Sequence, residues 1–269
     1  MSQNSPDSNR SVVFLHGWCG HPDELEGIRP ALPRRILAPA WMPAPGSINL
    51  EDWPEPGPER AATAPEEAMR VVADDIVERV RTAILDAGFT GSTIVGHSMG
   101  GALACVLAAD PLLEVRRVVL LDSSTPMLPD RRAALLERMT GWLDRVVTTG
   151  RLASQAGWIA DCSSWVPEFF ALDDQGIDRL RTEQRFMFAP IAEAAAAIGG
   201  AVQWPIDESL AALSCPIHAI AGDPGRLPVD ALKTMRPDVE VEVVEGVGHY
   251  PHVFAAERVR ALIKGWLEG

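Results

Sequence analysis

Short apolar runs that end on glycine, aspartate or proline alternate along this chain with stretches whose apolar positions recur every three or four residues. Ser11–Leu15 (SVVFL) is such a run, closed by His16-Gly17, and that boundary predicts a buried parallel strand. Arg35–Ala38 predicts a second strand. Thr63-Ala64-Pro65-Glu66 has capping-box spacing, and Met69, Val72, Ile76, Val80 and Ile84 form one helical face closed by Gly88. Ser92–Val95 predicts a strand, Ala102–Ala109 a helix of small residues, and Arg117–Leu121 a strand that stops at Asp122. Strands and helices in this alternation imply a parallel sheet with right-handed crossovers.

The rhythm breaks twice. The stretch from Ala40 to Pro65 is proline-rich and carries Trp41, Met42 and Trp53. It predicts an irregular excursion over the surface, not a linker, because the pattern resumes directly afterwards. From Ser123 to about Ala212 the chain is helical in pattern (Leu135, Met139, Trp142, Leu143, Val146) and rich in large side chains, among them Trp158, Trp165, Phe169, Phe170, Phe186, Met187, Phe188 and Trp204. This segment is too long for a loop and reads as an inserted helical cap. A strand at Pro216–Ile220, a helix at Val229–Met235, a strand at Val239–Val244 and a last helix from about Phe254 restore the alternation. The expected organisation is a disordered N-terminus over 1–10, an α/β core of 11–122 and 213–269, and a cap over 123–212. The sheet is expected to be mostly parallel, with about six strands.

Composition narrows the class. At 269 residues and 47% hydrophobic content the chain can bury one sizeable core. A formal charge of −13 speaks against nucleic acid or an anionic membrane surface as a partner. The polar opening MSQNSPDSNR has no apolar core of a secretory signal, and no run of 18 apolar residues occurs. The four cysteines (Cys19, Cys105, Cys162, Cys215) form no CxxC or Cys/His cluster. They are expected to be reduced, mostly buried thiols of a cytoplasmic protein, with no metal site.

The chemistry is concentrated at Gly96-His97-Ser98-Met99-Gly100, a G-x-S-x-G turn between the strand Thr93-Ile94-Val95 and the helix opening at Gly101-Ala102. A strand-to-helix turn this tight forces the serine into a strained conformation, and the flanking glycines remove Cβ clashes. Ser98 is thereby set at a helix N-terminus, where backbone N–H groups and the dipole favour a developing oxyanion.

Three features together resemble the α/β-hydrolase superfamily: His16-Gly17 after the first strand, the turn at Ser98, and Gly246-Val247-Gly248-His249-Tyr250-Pro251-His252 before the last helix. Their order and spacing agree over nearly the whole chain. The resemblance implies the α/β-hydrolase fold, Ser98 as nucleophile, His249 as base, and the N–H groups of Trp18 and Met99 as an oxyanion hole. No cofactor or metal is expected, because the chain has no phosphate-binding glycine fingerprint and no metal-ligand spacing. His97 is expected to be packed or hydrogen-bonded support, and His21, His218 and His252 structural. The acid departs from the family pattern. Its usual G-x-x-D loop is here Gly222-Asp223-Pro224-Gly225, with glycine in the fourth position. Asp122 and Asp223 are the two candidates. Asp122 is favoured because it ends a strong apolar strand, while the loop from Gly222 to Arg226 is short and proline-constrained. Cofactor-free ring-cleaving dioxygenases of 3-hydroxy-4-oxoquinolines also carry the acid at this earlier strand, and the chain resembles them at Gly17-Trp18-Cys19.

The expected function is a serine hydrolase that cleaves an ester, thioester or related acyl bond of a small to medium apolar substrate. The alternatives are a cofactor-free dioxygenase or lyase using the His–Asp pair as base, or a receptor that binds without turnover. Some of Trp142, Trp158, Trp165, Phe186 and Phe188 are expected to wall the pocket.

Overall fold

The computed structural model describes residues 11–170, apart from residues 45, 58, 60 and 62, together with 175–176 and 190–268. The expected disorder of 1–10 therefore lies outside the described residues. Six strands form one sheet: β1 (Ser11–Leu15), β2 (Arg35–Leu37), β3 (Thr93–His97), β4 (Arg117–Leu121), β5 (Ile217–Asp223) and β6 (Glu240–Glu245), in the order β2-β1-β3-β4-β5-β6. Every neighbouring pair is parallel. This is the α/β-hydrolase fold, with all six strands parallel where the sequence predicts mostly parallel ones.

The unbroken apolar runs arise because both faces of the central strands are covered. Side chains alternate between two layers. Val13, Leu15, Ile94, Val118 and Leu120 face the larger core. Val12, Phe14, Val95, Val119 and Leu121 face the smaller one, which the C-terminal helix (Ala256–Glu268) closes with Val259 and Ile263. β6 is one of the two edge strands, and its carboxylates Glu240, Glu242 and Glu245 are exposed, which blunts pairing with another strand.

Helix α1 (Ala64–Asp86) buries Met69, Ala73, Ile76, Val80 and Ile84. Ala73 takes the place in the stripe that the pattern gives to Val72, which is half-buried. The capping box does not form. Thr63 is already helical (φ −84°, ψ −14°) and its side chain makes no cap hydrogen bond. Pro65 and the acidic first turn (Glu66, Glu67) favour the helix start instead. The stretch after β2 is irregular, as expected, yet it is anchored: Trp41 and Trp53 are buried, and Trp53 donates its indole N–H to Asp144 at 3.0 Å.

Between β4 and β5 the chain runs through α3 (Pro129–Thr149), α4 (Arg151–Phe170), α5 (Ile191–Ala201) and α6 (Ile206–Ala212). Every residue of α5 is buried, as its composition demands: IAEAAAAIGGA is apolar on all sides but one. The exception, Glu193, accepts from Arg151 at 2.8 and 3.0 Å and from the Gly46 N–H at 2.9 Å. α5 packs on α1 and α3, and α6 packs on α2 (Met99–Ala108). No helix among the described residues is long and apolar enough to cross a membrane.

The approach of α5 to α1 depends on Gly200, where a Cβ would run into the Met69 carbonyl and come within 2.6 Å of the Ala73 Cβ. Backbone cannot yield as a side chain can. Gly200→Ala is therefore expected to destabilise the protein by about 1–3 kcal/mol, read from the urea unfolding midpoint, whereas Gly141→Ala, with open space around it, leaves the midpoint within error or raises it.

Candidate active site

The strand register sets the site. Leu15 pairs with Gly96 and His97 with Leu121, so the chain leaves β1, β3 and β4 at the same edge, side by side. Parallel α/β sheets bind ligands at this carboxyl edge. Ser98 sits there at φ 52°, ψ −119°, a strained geometry for a residue with a Cβ, held by its N–H on the Leu121 carbonyl at 3.1 Å. The next residue, Met99, opens α2, so its N–H belongs to the first turn, whose donors lack an intrahelical acceptor.

His249 follows β6. Its Nδ1 lies 2.6 Å from Asp122 Oδ2, and its Nε2 lies 2.8 Å from Ser98 Oγ. The Asp122 and His249 side chains are fully buried, and Ser98 is 9% exposed. An ionised carboxylate only accepts, so Nδ1 carries the proton and the Nε2 lone pair faces the serine hydroxyl. Burial draws the His249 imidazole down to about 4, against the raising effect of Asp122. Burial pushes the Asp122 carboxyl up, but the hydrogen bond and charge of His249 and the backbone donors outweigh it and hold the group below the ordinary value.

Asp122 is held by more than the histidine. Oδ1 accepts the N–H groups of Gly222 (3.0 Å) and Leu227 (3.2 Å), and Oδ2 accepts that of Arg226 (2.7 Å). The loop after β5 is wrapped around a carboxylate supplied by the neighbouring strand. Gly225 is part of this arrangement, since a Cβ there would meet the Gly222 carbonyl and come within 2.5 Å of Asp122 Oδ1. Asp223, the alternative acid, is the exposed last residue of β5. Its carbonyl accepts the Gly246 N–H at 2.7 Å, and its carboxylate is not on the His249 ring.

Ser98, Trp18 and Met99 line one cavity together with Ala102, Ser124, Met127, Arg131, Leu135, Ile198, Ala201, Val202, Ile206 and Tyr250. Its free space for the centres of water molecules is about 40 Å³, room for roughly three of them. Among the described residues, the inserted segment contributes Met127, Arg131 and aliphatic side chains to this wall, and no aromatic ring. Trp142 and Trp158 are turned into packing: their rings meet edge to face at 5.5 Å, and Trp158 meets Trp18 likewise at 6.0 Å. The side chains of Trp165, Phe186 and Phe188 lie outside the described residues. Burial draws the Arg131 guanidinium down to about 10, aided by the nearby Arg226. The Trp18 indole donates to the Ala194 carbonyl of α5 at 2.9 Å.

The remaining histidines are structural in the ways available to them. His16 stacks on Trp41 at 4.9 Å, with Nδ1 2.8 Å from the Gly17 carbonyl. His218 stacks on Trp266. His21 caps the short turn Pro22–Gly27 through the Asp23 N–H. Sequence reasoning missed Glu24, a carboxylate only 1% exposed beneath the Ser98 turn. It lies between Asp23 and Glu26 in a charged turn, so nothing in the local pattern sets it apart.

The profile of the alpha/beta hydrolase family matches residues 12–262. Curated protein sequences give no significant match. Among solved structures, MenH from S. aureus superposes with a TM-score of 0.68 at 18% identity, covering 100% of this chain and 96% of that one. A thermophilic esterase from Thermogutta terrifontis gives 0.63 at 23%, covering 96% and 89%. AqDC, described as recognising and cleaving the ring of the Pseudomonas quinolone signal, gives 0.66 at 18%, covering 96% and 91%. At these identities the likeness shows the fold.

Two predictions follow from the Asp122–His249 pair. Asp122→Asn keeps the shape but removes the acceptor charge, so labelling of Ser98 by a fluorophosphonate should slow by about 10⁴, the size of the effect in a well-studied serine protease. Asp223→Asn should slow it by about tenfold or less. The second concerns pH. His249 and His252 are both drawn from 6.5 to about 4 by burial. The unfolded chain therefore takes up these protons first as pH falls, so their contribution to stability is complete above about 6.5 and is lost down to about 4. Thermal melting should give a steep decline in Tm as pH falls from 6.5 to 4.

Proposed function

The chain belongs to the alpha/beta hydrolase family, and on that premise we propose that it is a serine hydrolase cleaving an ester, thioester or related acyl bond through an acyl-enzyme on Ser98. One observation carries this reading: Ser98 Oγ, His249 and Asp122 are joined by hydrogen bonds of 2.8 and 2.6 Å in a buried line beside an apolar cavity. His249 takes the hydroxyl proton as Ser98 Oγ attacks the acyl carbon, and Asp122 stabilises the imidazolium that results. The N–H groups of Met99 and Trp18 receive the oxyanion. His249 then protonates the leaving group and activates the water that releases the acid. The helices over 123–212 act as a cap that walls the acyl side with Leu135, Ile198, Ala201, Val202 and Ile206. A small, mostly apolar cavity favours a short apolar acyl group.

A second reading is favoured by the position of the acid. Asp122 at the end of β4 is where the ring-cleaving dioxygenases carry theirs, and the AqDC likeness agrees with that branch of the fold. There the His249–Asp122 pair would abstract a substrate proton and Ser98 would only hydrogen-bond.

A fluorophosphonate should modify Ser98 stoichiometrically, and His249→Ala should slow this by orders of magnitude. p-Nitrophenyl acetate and butyrate should turn over faster than the decanoate, with Ser98→Ala inactive on all three. Unlabelled Ser98 in folded protein, with oxygen uptake on a 3-hydroxy-4-oxoquinoline, would overturn hydrolysis in favour of the second reading.

A further inference from the structure

Behind Ser98, three polar side chains meet in a fully enclosed cluster. His97 and His252 are 0% exposed and Glu24 is 1% exposed. His97 Nε2 lies 2.9 Å from the main-chain oxygen of His249, and His97 Nδ1 lies 2.8 Å from Glu24 Oε2. A carbonyl oxygen can only accept, so Nε2 carries a proton. The same carboxylate oxygen also accepts the Gly17 N–H at 3.3 Å. An ionised carboxylate can only accept as well, so Nδ1 carries a second proton. A ring with two N–H groups is a cation.

We propose that Glu24 and His97 form a buried ion pair, a carboxylate and a doubly protonated imidazole, which positions the main chain of His249 from behind the Ser98 turn. The neighbouring ring cannot supply the charge in its place: burial, with the effect of His97, draws His252 down to about 4, so it is neutral. Its nearer nitrogen stands 3.7 Å from the carboxylate. Burial pushes Glu24 up, yet the charge of His97, the nearby His252 ring and the hydrogen bond of His97 hold it well below the ordinary carboxylate range. A buried charge is tolerated only when it is paired and its hydrogen bonds are met, and here both ring protons and the carboxylate are engaged.

The donor atoms of Glu24, His97 and His252 lie within 4.8 Å of one another, so a divalent cation is the competing occupant. The geometry favours the proton. Charge-assisted N–H···O bonds run about 2.7–2.9 Å, whereas tetrahedral zinc ligands with bonds of about 2.0–2.1 Å stand roughly 3.3 Å apart or more. The 2.8 Å contact fits the first.

The pair acts at two points. His97 is the last residue of β3, so its bond to the His249 carbonyl ties the loop of the base to the rigid sheet. Its ring also lies 4.9 Å from the His249 ring, and a cation there opposes protonation of the base. The groups facing His97 are Glu24, His249, His252, Tyr250 and His16. Those facing His249 are Asp122, His97, Tyr250 and Arg226. The charge state rests on the two ring contacts and on an ionised Glu24, whereas its effect on reactivity rests on the reading of His249 as base.

The test is histidine-ring ¹⁵N–¹H correlation spectroscopy on the full chain at pH 7.5, with His97 assigned from a His97→Gln sample. Both His97 nitrogens should resonate as protonated, while His252 shows one protonated and one bare nitrogen. In Glu24→Gln, which keeps the shape and can donate to Nδ1, His97 should show one bare nitrogen. The acid-side fall in Ser98 labelling by the fluorophosphonate should then move to higher pH by about one unit, because a cation beside His249 has been lost. A merely structural role would leave that pH unchanged. One bare nitrogen on His97 in the unaltered protein overturns the proposal. So does stoichiometric zinc or another divalent metal by elemental analysis, which would make the cluster a metal centre. If Ser98 does not label at all, the hydrolase reading fails, and the nitrogen shifts of the unaltered protein still decide the ion pair.

Discussion

The site depends on one carboxylate and its four hydrogen bonds. Asp122 accepts from His249 and from three backbone N–H groups of the loop after β5. Each contact lies in a region from which water is excluded, where hydrogen bonds to a charged group are stronger than in solvent and an unmet one costs more. The same anion therefore fixes the tautomer and orientation of the His249 ring and also closes the β5 loop. Chain segments some hundred residues apart converge on two oxygen atoms.

Much of this was legible in the sequence, for a physical reason. Central parallel strands must be apolar on both faces, so β1, β3 and β4 announce themselves as runs, and β4 matches its sequence boundaries, Arg117–Leu121. The glycine-flanked serine is visible because only small neighbours permit that turn. Asp122 could be preferred over Asp223 because a residue ending a buried strand is held, whereas one in a proline-constrained loop has less freedom to reach. The backbone donors around Asp122 were not legible, since main-chain N–H groups leave no trace in residue identity. Gly225 hinted at them: its missing side chain is the space the carboxylate needs.

The failures are equally physical. Of the large aromatics expected to wall the pocket, Trp142 and Trp158 pack instead, since a tryptophan buries more surface against another tryptophan than against a cavity. Among the described residues, the inserted segment lines the cavity with Met127, Arg131, Leu135 and the small and aliphatic residues of α5 and α6. Thr63 has the residue type and spacing of a capping box but is already wound into the helix. Glu24 was invisible because burial of a charge is decided by distant partners, in this case a histidine 73 positions away.

Trp18 belongs to two bodies at once. Its backbone lies in the loop beside Ser98, while its indole is bonded to the Ala194 carbonyl of α5 and packed edge-on against Trp158 of α4. Displacing the inserted helices would therefore disturb a residue beside Ser98, and by thermodynamic reciprocity any ligand that settles Trp18 also steadies the helices it is bonded to.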